Sequence, residues 1–128
     1  MGVNKNHLGQ LFFIGISGPE LTSSEEEFIV KNNIGGIVLF DRNLKSPEQI
    51  HKLCSSIQKL RHKMPDKTPL FIGIDMEGGR VHRLKAPFTQ WPALGNFSNI
   101  SSTSLAFKFS YSMGQELKSV GINLDFAP

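Results

Sequence analysis

The stretch PLFIGIDMEGGRVHRL, residues 69–84, joins a short apolar run to a dense group of charged residues and glycines. Residues 69–74 have the length and composition of a buried strand. The ten residues that follow include two acidic residues, two glycines and two arginines. Reactive residues of parallel α/β folds collect at the carboxyl ends of strands. We therefore predict a buried strand over residues 69–74 and a functional site directly after it.

Three other apolar runs predict further buried strands, at residues 11–16, 34–40 and 122–126. Because these runs are nearly continuous, both faces of the sheet are expected to be covered. Such strands are typical of a parallel sheet with right-handed crossover connections. The polar residues from Asp75 to about Ser101 are predicted to form a loop.

Local signals predict three helices between these strands. The first begins at Thr22, which forms a capping box with Glu25, and it runs to about Lys31. The second begins at Ser46, with Pro47 at the first helical position. Apolar residues at helical spacing mark the buried faces, and these are Ile50, Leu53, Cys54, Ile57 and Leu60 in the second helix and Leu105, Phe109, Met113, Leu117 and Val120 in the third.

The resulting order of elements, β-α-β-α-β-α-β, fits two α/β architectures, a doubly wound open sheet and a part of a (β/α)8 barrel. A complete barrel needs about 250 residues, whereas this chain has 128. The chain stops at Pro128, directly after the last predicted strand, where a loop and another helix are expected next. Residues 1–128 show no second domain, no internal repeat and no low-complexity segment.

The composition is that of an ordinary globular protein, with 39% apolar and 20% charged residues. Most of the ten phenylalanines are expected in the core, because phenylalanine packs without a polar partner. The single cysteine, Cys54, excludes a disulfide framework and is expected to be a buried, inert thiol. Neither a secretory signal pattern nor an apolar stretch of about 20 residues occurs, so we expect a cytoplasmic protein without a membrane partner.

Basic residues gather in the second helix and just after it, and these are Lys45, Lys52, Lys59, Arg61, Lys63 and Lys67. A protein that binds single-stranded nucleic acid would place aromatic residues among them, and none occurs there. We therefore interpret this segment as the solvated outer face of a helix and expect no nucleic-acid partner. His51 and His62 lie in the same segment and are expected to be exposed.

Polar residues also end the second and fourth predicted strands. Asp41-Arg42-Asn43 follows the second strand, and Asn123 and Asp125 lie in the fourth. Polar groups at the ends of apolar strands need partners or a ligand to offset their lost hydration. The carboxyl edge of the sheet is therefore the expected place of a site.

The residues after the third strand leave four kinds of chemistry open. Ion pairs between Asp75 or Glu77 and the nearby arginines would make the group structural. Gly78-Gly79 beside Arg80 would suit an anion, although the spacing matches neither the dinucleotide nor the P-loop pattern. The two carboxylates would also suit the acid pair of a glycosidase or, together with His82, a metal ion.

Residues 73–84, GIDMEGGRVHRL, resemble the signature [IV]-D-x-E-G-G-R-V-x-R of glycoside hydrolase family 3. The match is best to bacterial β-N-acetylhexosaminidases that remove N-acetylglucosamine from peptidoglycan fragments. Met76 and His82 depart from this pattern, since the family usually has glutamine at both positions. The resemblance extends over nearly the whole chain and includes residues 18–21, 34–40, 42–43, 88–93 and 123–128.

This resemblance implies the first half, about four strands, of a truncated (β/α)8 TIM barrel from an enzyme of carbohydrate metabolism. It implies that Asp75 and Arg83 bind the substrate, since a carboxylate accepts and a guanidinium donates hydrogen bonds to sugar hydroxyls. Glu77, Gly78, Gly79 and Arg80 would then shape and brace the loop. A carbohydrate is the implied small-molecule partner, with peptidoglycan recycling as the context, and neither a metal nor an organic cofactor is implied.

The same resemblance replaces the acid pair with a different division of roles. The family nucleophile is an aspartate on a later strand, and the proton donor is a histidine in a Lys-His-Phe-Pro-Gly-His-Gly-like segment. No such segment occurs here, and the four histidines, His7, His51, His62 and His82, lie in other contexts. No catalytic residue is therefore assigned to this chain. A family 3 β-glucosidase, a non-catalytic sugar-binding half-barrel and a phosphate-binding barrel that uses Gly78-Gly79 stay open as alternatives.

Overall fold

The computed structural model describes residues 5–99 and 102–127. The expectation about a secretory signal concerns residues 1–10, of which the first four lie outside these ranges, and the break expected at Pro128 lies outside them as well. The α-helices are α1 Ser23–Lys31, α2 Pro47–Lys59 and α3 Thr103–Ser119. The strands are β1 Phe13–Gly15, β2 Gly36–Leu39, β3 Phe71–Ile74, β4 Met76–Gly78, β5 Val81–His82 and β6 Leu124–Asp125.

Four strands form one parallel sheet in the order β1-β2-β3-β6, which confirms the predicted α/β class. Ile14, Ile37 and Ile72 share one level across the sheet. The strand order follows the chain order without the reversal that a doubly wound sheet has. The described part of the chain therefore does not have the doubly wound arrangement.

Both predicted helix starts are confirmed. Thr22 Oγ1 accepts a hydrogen bond from the Glu25 N–H at 3.3 Å, and Glu25 Oε2 accepts one from the Thr22 N–H at 2.9 Å. Ser46 Oγ accepts a hydrogen bond from the Gln49 N–H at 3.2 Å, with Pro47 in the first turn. These contacts satisfy N–H groups that have no partner inside a helix.

All three helices pack on one face of the sheet and form a single core with it. The predicted stripe of α2 is buried throughout, and Cys54 lies within it as a free thiol. The thiol is buried as predicted, and burial raises the pKa of Cys54 to about 12, which disfavours the reactive thiolate. His51 and His62 are exposed as predicted. No helix among residues 5–99 and 102–127 is long and apolar enough to cross a bilayer.

Within the described residues one face of the sheet is left uncovered, unlike the prediction that both faces are covered. On the face opposite the helices lie the rings of Phe13, Phe71 and Phe126, which are 38%, 54% and 38% exposed. The Phe13 ring lies 5.9 Å from Phe71 and 5.8 Å from Phe126 between centroids. These rings pack directly on Gly36 and Gly73. A Cβ at Gly36 would overlap the Phe13 ring, and a Cβ at Gly73 would overlap the Phe126 ring. We call these three rings the aromatic face.

The expectation for the phenylalanines as a group is also wrong, because Phe109 alone of the ten is in the buried class. Leu11 and Phe12 are exposed because a 3-10 helix, Lys5–Leu11, replaces the start of the predicted first strand. Leu105 is exposed in the first turn of α3, before that helix reaches the core. Apolar character therefore does not identify the buried face in these segments.

The predicted loop after β3 contains an antiparallel hairpin of β4 and β5 and a further 3-10 helix, Leu94–Asn99. Its last part falls on residues 100–101, outside the described ranges. Glu116 of α3 fastens this region to the core. Its carboxylate accepts hydrogen bonds from Thr89 Oγ1 at 2.6 Å and from Trp91 Nε1 at 2.9 Å. These bonds join the segment that follows the hairpin to α3.

Candidate functional site

Five charged side chains lie at the carboxyl edge of the sheet, and we call them the strand-end cluster. Asp41 begins the 3-10 turn after β2, Asp75 separates β3 from β4, and Asp125 lies in β6. The hairpin supplies Glu77 from β4 and Arg83 from the residue after β5. Parallel neighbouring strands explain this convergence, because their carboxyl ends meet at one edge.

Asp75 and Arg83 form an ion pair, with Arg83 Nη2 donating to Asp75 Oδ2 at 3.1 Å. The antiparallel hairpin turns the chain back, so a residue eight positions later reaches Asp75. Their side chains are 30% and 28% exposed, which leaves both accessible to a ligand. Of the ion pairs considered from the sequence within this loop, the one between Asp75 and Arg83 therefore forms. Glu77 and Arg80 form no ion pair in the described residues.

Asp41, like Asp125, is a member that sequence reasoning did not select as a site residue. Its Oδ1 lies 3.5 Å from Arg83 Nη1, and its side chain is 63% exposed. The two residues are far apart in sequence, and the contact exists because β2 and β3 are neighbours. The only available signal was the polar end of the second predicted strand.

Arg42 and Asn43 beside it have structural contacts. Asn43 is fully buried; its amide donates to the Gly18 carbonyl at 2.7 Å and accepts from the Phe40 N–H at 2.9 Å. Arg42 Nε donates to the Ile16 carbonyl at 2.8 Å. These bonds fix the turn after β2 against the end of β1.

Asp125 extends the cluster to β6. Its Oδ1 accepts a hydrogen bond from the Met76 N–H at 2.9 Å. Burial raises the pKa of Asp125 to about 6; the Met76 hydrogen bond opposes this rise, and the charges of Asp75 and Glu77 add to it. The cluster therefore contains four carboxyl groups and one guanidinium, and it is acidic overall.

Gly78 and Gly79 both have positive φ, +75° and +57°. A Cβ at Gly78 would overlap the Pro92 carbonyl, and the Gly79 N–H donates to the Trp91 carbonyl at 2.9 Å. These two positions therefore suit glycine for conformation and for packing. Because the Gly79 N–H already bonds the Trp91 carbonyl, it is not available to an anion.

His82 does not join the carboxylates. It pairs with the buried Met76 across the hairpin, whereas Asp75 and Glu77 alternate to the other side. His82 is 7% exposed, and neither ring nitrogen has a partner in the described residues. Within residues 5–99 and 102–127, no group of three histidine, cysteine or acidic residues could hold a metal ion. The metal alternative therefore has no support there.

The sequence matches a family model described as the glycosyl hydrolase family 3 N terminal domain over residues 4–128. A beta-hexosaminidase from Alkalilimnicola ehrlichii is 35% identical over 127 residues, which cover 94% of this chain and 35% of that protein. One from Pseudomonas aeruginosa is 34% identical over 116 residues, 90% of this chain and 33% of the relative. The chain thus spans about a third of the length of the curated relatives it matches.

Solved structures give the same result. A family 3 beta-N-acetylglucosaminidase from Paenibacillus superposes with a TM-score of 0.84 at 34% identity, covering 100% of this chain and 24% of that one. NagZ from Neisseria gonorrhoeae, in complex with N-trifluoroacetyl-D-glucosamine, superposes with a TM-score of 0.76 at 33% identity. That match covers 91% of this chain and 35% of the Neisseria chain.

Proposed function

Because this chain belongs to glycosyl hydrolase family 3, we propose that residues 1–128 are the amino-terminal portion of the catalytic (β/α)8 TIM barrel of that family. The sequential order of four parallel strands supports this proposal, and so does the location of all helices on one face. In a barrel, the aromatic face would point inward and the remaining strands would cover it. No second domain is proposed within these residues.

The proposed activity is that of a retaining β-N-acetylhexosaminidase. It would remove terminal N-acetylglucosamine from peptidoglycan-derived fragments through a covalent glycosyl-enzyme, which water then hydrolyses. Relatives named beta-hexosaminidase, which match at least 90% of this chain, support the reaction class. The Neisseria structure, with a glucosamine derivative bound, supports the sugar. Peptidoglycan recycling in the cytoplasm belongs to the proposal and rests on the family resemblance.

The proposed substrate site rests on the Asp75–Arg83 ion pair. Asp75 would accept hydrogen bonds from sugar hydroxyls, and Arg83 would donate to a sugar oxygen in a fixed direction. A sugar without charge suits this place, because the strand-end cluster has four carboxyl groups and a single guanidinium, two of the carboxylates lying beside that guanidinium. The same excess of negative charge would repel a phosphate ester, which disfavours the phosphate-binding alternative.

The remaining loop residues have a supporting role in this proposal. Glu77, Gly78, Gly79 and Arg80 would shape the hairpin that carries Arg83 over the edge of the sheet. The bonded N–H of Gly79 and the close approach of Pro92 to Gly78 support this for the two glycines. The nucleophile and the proton donor would come from the part of the enzyme that this chain does not contain.

Substrate comparison in the polypeptide that carries this chain tests the function. We expect kcat/KM for an aryl N-acetyl-β-glucosaminide to exceed that for the matching aryl β-glucoside. A higher kcat/KM for the glucoside would favour the β-glucosidase alternative. Binding of N-acetylglucosamine without hydrolysis of either compound would favour a sugar-binding half-barrel.

A further inference from the structure

The guanidinium of Arg83 contacts two carboxylates that come from neighbouring strands. Its Nη2 donates one hydrogen bond to Asp75 Oδ2 at 3.1 Å, and its Nη1 lies 3.5 Å from Asp41 Oδ1. In the part of the chain that the structure describes, Arg83 Nε is buried and has no partner. Asp75 Oδ1 accepts no hydrogen bond there.

This arrangement differs from the usual contact of arginine with a carboxylate. Arginine commonly forms two parallel hydrogen bonds to both oxygens of one carboxylate. Here the pair has one, although Arg83 Nε lacks a partner and Asp75 has a second oxygen. The Asp41 carboxylate, 3.5 Å from Nη1, would oppose a rotation of the guanidinium that formed the second bond.

The turn that carries Asp41 is well placed to hold this position. Asn43, two residues later, is fully buried and bonds to the backbone of Phe40 and Gly18. Asp41 itself is largely exposed. Its carboxylate therefore contributes little to the core, while the pairing of Leu39 with Ile74 and the bonds of Asn43 hold its backbone beside the end of β3.

We propose that Asp41 is a positioning residue that keeps Arg83 in single contact with Asp75 and so leaves Asp75 Oδ1 available to a sugar hydroxyl. The part that concerns the sugar rests on the proposed function, whereas the part that concerns the Asp75–Arg83 geometry does not. Without Asp41, the guanidinium occupies both oxygens of Asp75. The substrate then loses a charged acceptor.

Crystal structures of the polypeptide that carries this chain, with Asp41→Asn and with Asp41→Glu, test the geometry directly. Asparagine has a similar shape without the charge, so we expect a second hydrogen bond between Arg83 and Asp75 in that variant. Glutamate retains the charge, and we expect the single bond to persist. Glu27→Gln, at an exposed position of α1, is the matched control. An unchanged single bond in Asp41→Asn overturns the proposal.

An NMR titration of the same variants with N-acetylglucosamine separates the part of the proposal that concerns the Asp75–Arg83 geometry from the part that concerns the sugar. We expect Asp41→Asn to weaken binding about ten-fold, and Asp41→Glu and Glu27→Gln to bind as the parent chain does. Asp75→Ala removes the whole carboxylate and so shows how much the sugar affinity falls when this acceptor is lost. If the second bond forms but neither Asp41→Asn nor Asp75→Ala changes sugar binding, the geometric inference stands and the assignment of Asp75 to the sugar site is contradicted.

Discussion

Asp125 Oδ1 accepts a hydrogen bond from the backbone N–H of Met76 at 2.9 Å. This bond joins β6 to the first residue of β4 and holds the Asp125 carboxyl near Asp75 and Glu77. The side chain that connects β6 to the hairpin at the carboxyl end of the sheet is therefore itself titratable. Its protonation links the strand-end cluster to the stability of the fold.

Asp125→Asn is expected to remove a pH-dependent loss of stability. The pKa of Asp125 is about 6 in the folded chain against 3.8 as the reference value. The folded state therefore binds more protons between these values, and stability falls as pH rises from about 4 to 6. Asparagine keeps the acceptor for the Met76 N–H without the charge. We expect the variant to gain about 1 kcal/mol relative to the parent between pH 4 and pH 7, after allowance for solvent screening.

Urea unfolding at both pH values measures this difference, with Glu27→Gln as the control. An equal pH dependence in the parent chain and Asp125→Asn would contradict the raised pKa of Asp125.

The capping box of α1 is expected to have the opposite pH dependence. Partial burial raises the pKa of Glu25, but hydrogen bonds from Thr22 and Ser17 outweigh it and lower this pKa to about 2. The stabilisation is therefore complete above about pH 4.5 and is lost as pH falls toward 2. Glu25→Gln should cost about 1 kcal/mol at pH 7 and less at pH 3, measured by urea unfolding. If Glu25→Gln lowers the free energy of unfolding equally at pH 7 and at pH 3, the lowered pKa of Glu25 is contradicted.

Helix starts were predictable from the sequence because their signals are local. The Thr22 and Ser46 caps need partners only three residues away, and the apolar stripe of α2 follows from helical spacing alone. The order of strands and helices was predictable for the same reason. The position of Asp75 after an apolar strand indicated the edge of the sheet where the cluster lies.

The other features depend on contacts between distant segments. Asp41 meets Arg83 only after β2 pairs with β3, and no spacing in the sequence indicates this contact. Phe71 belongs to an apolar run, but a run of this kind does not show which face other elements cover. The hairpin of β4 and β5 was missed because its strands are two or three residues long.

The aromatic face is expected to cause self-association of the isolated chain. Phe13, Phe71 and Phe126 form a contiguous exposed group, and β1 and β6 have no outer strand neighbour in the described residues. Phe71→Asp should shift the sedimentation coefficient toward that of a monomer. Phe107→Asp, on the exposed side of α3, is the control and should leave association unchanged. A parent chain that is monomeric and melts cooperatively would contradict this expectation.

The isolated 128-residue chain is expected to lack glycosidase activity. The resemblance assigns the nucleophile and the proton donor to segments that these residues do not include. The assay uses an aryl N-acetyl-β-glucosaminide with the purified chain, and a mock purification provides the contaminant control. Turnover by the chain above that control would show that the catalytic groups lie among these residues.

The most direct measurement is kcat/KM for an aryl N-acetyl-β-glucosaminide after Asp75→Ala in the polypeptide that carries this chain. Loss of a partly buried, charge-assisted contact should remove about 2–4 kcal/mol of transition-state binding, which lowers kcat/KM by about 30- to 1000-fold. Glu27→Gln should leave kcat/KM unchanged. If Asp75→Ala retains the parent kcat/KM, Asp75 does not contact the sugar and the strand-end cluster is not the substrate site.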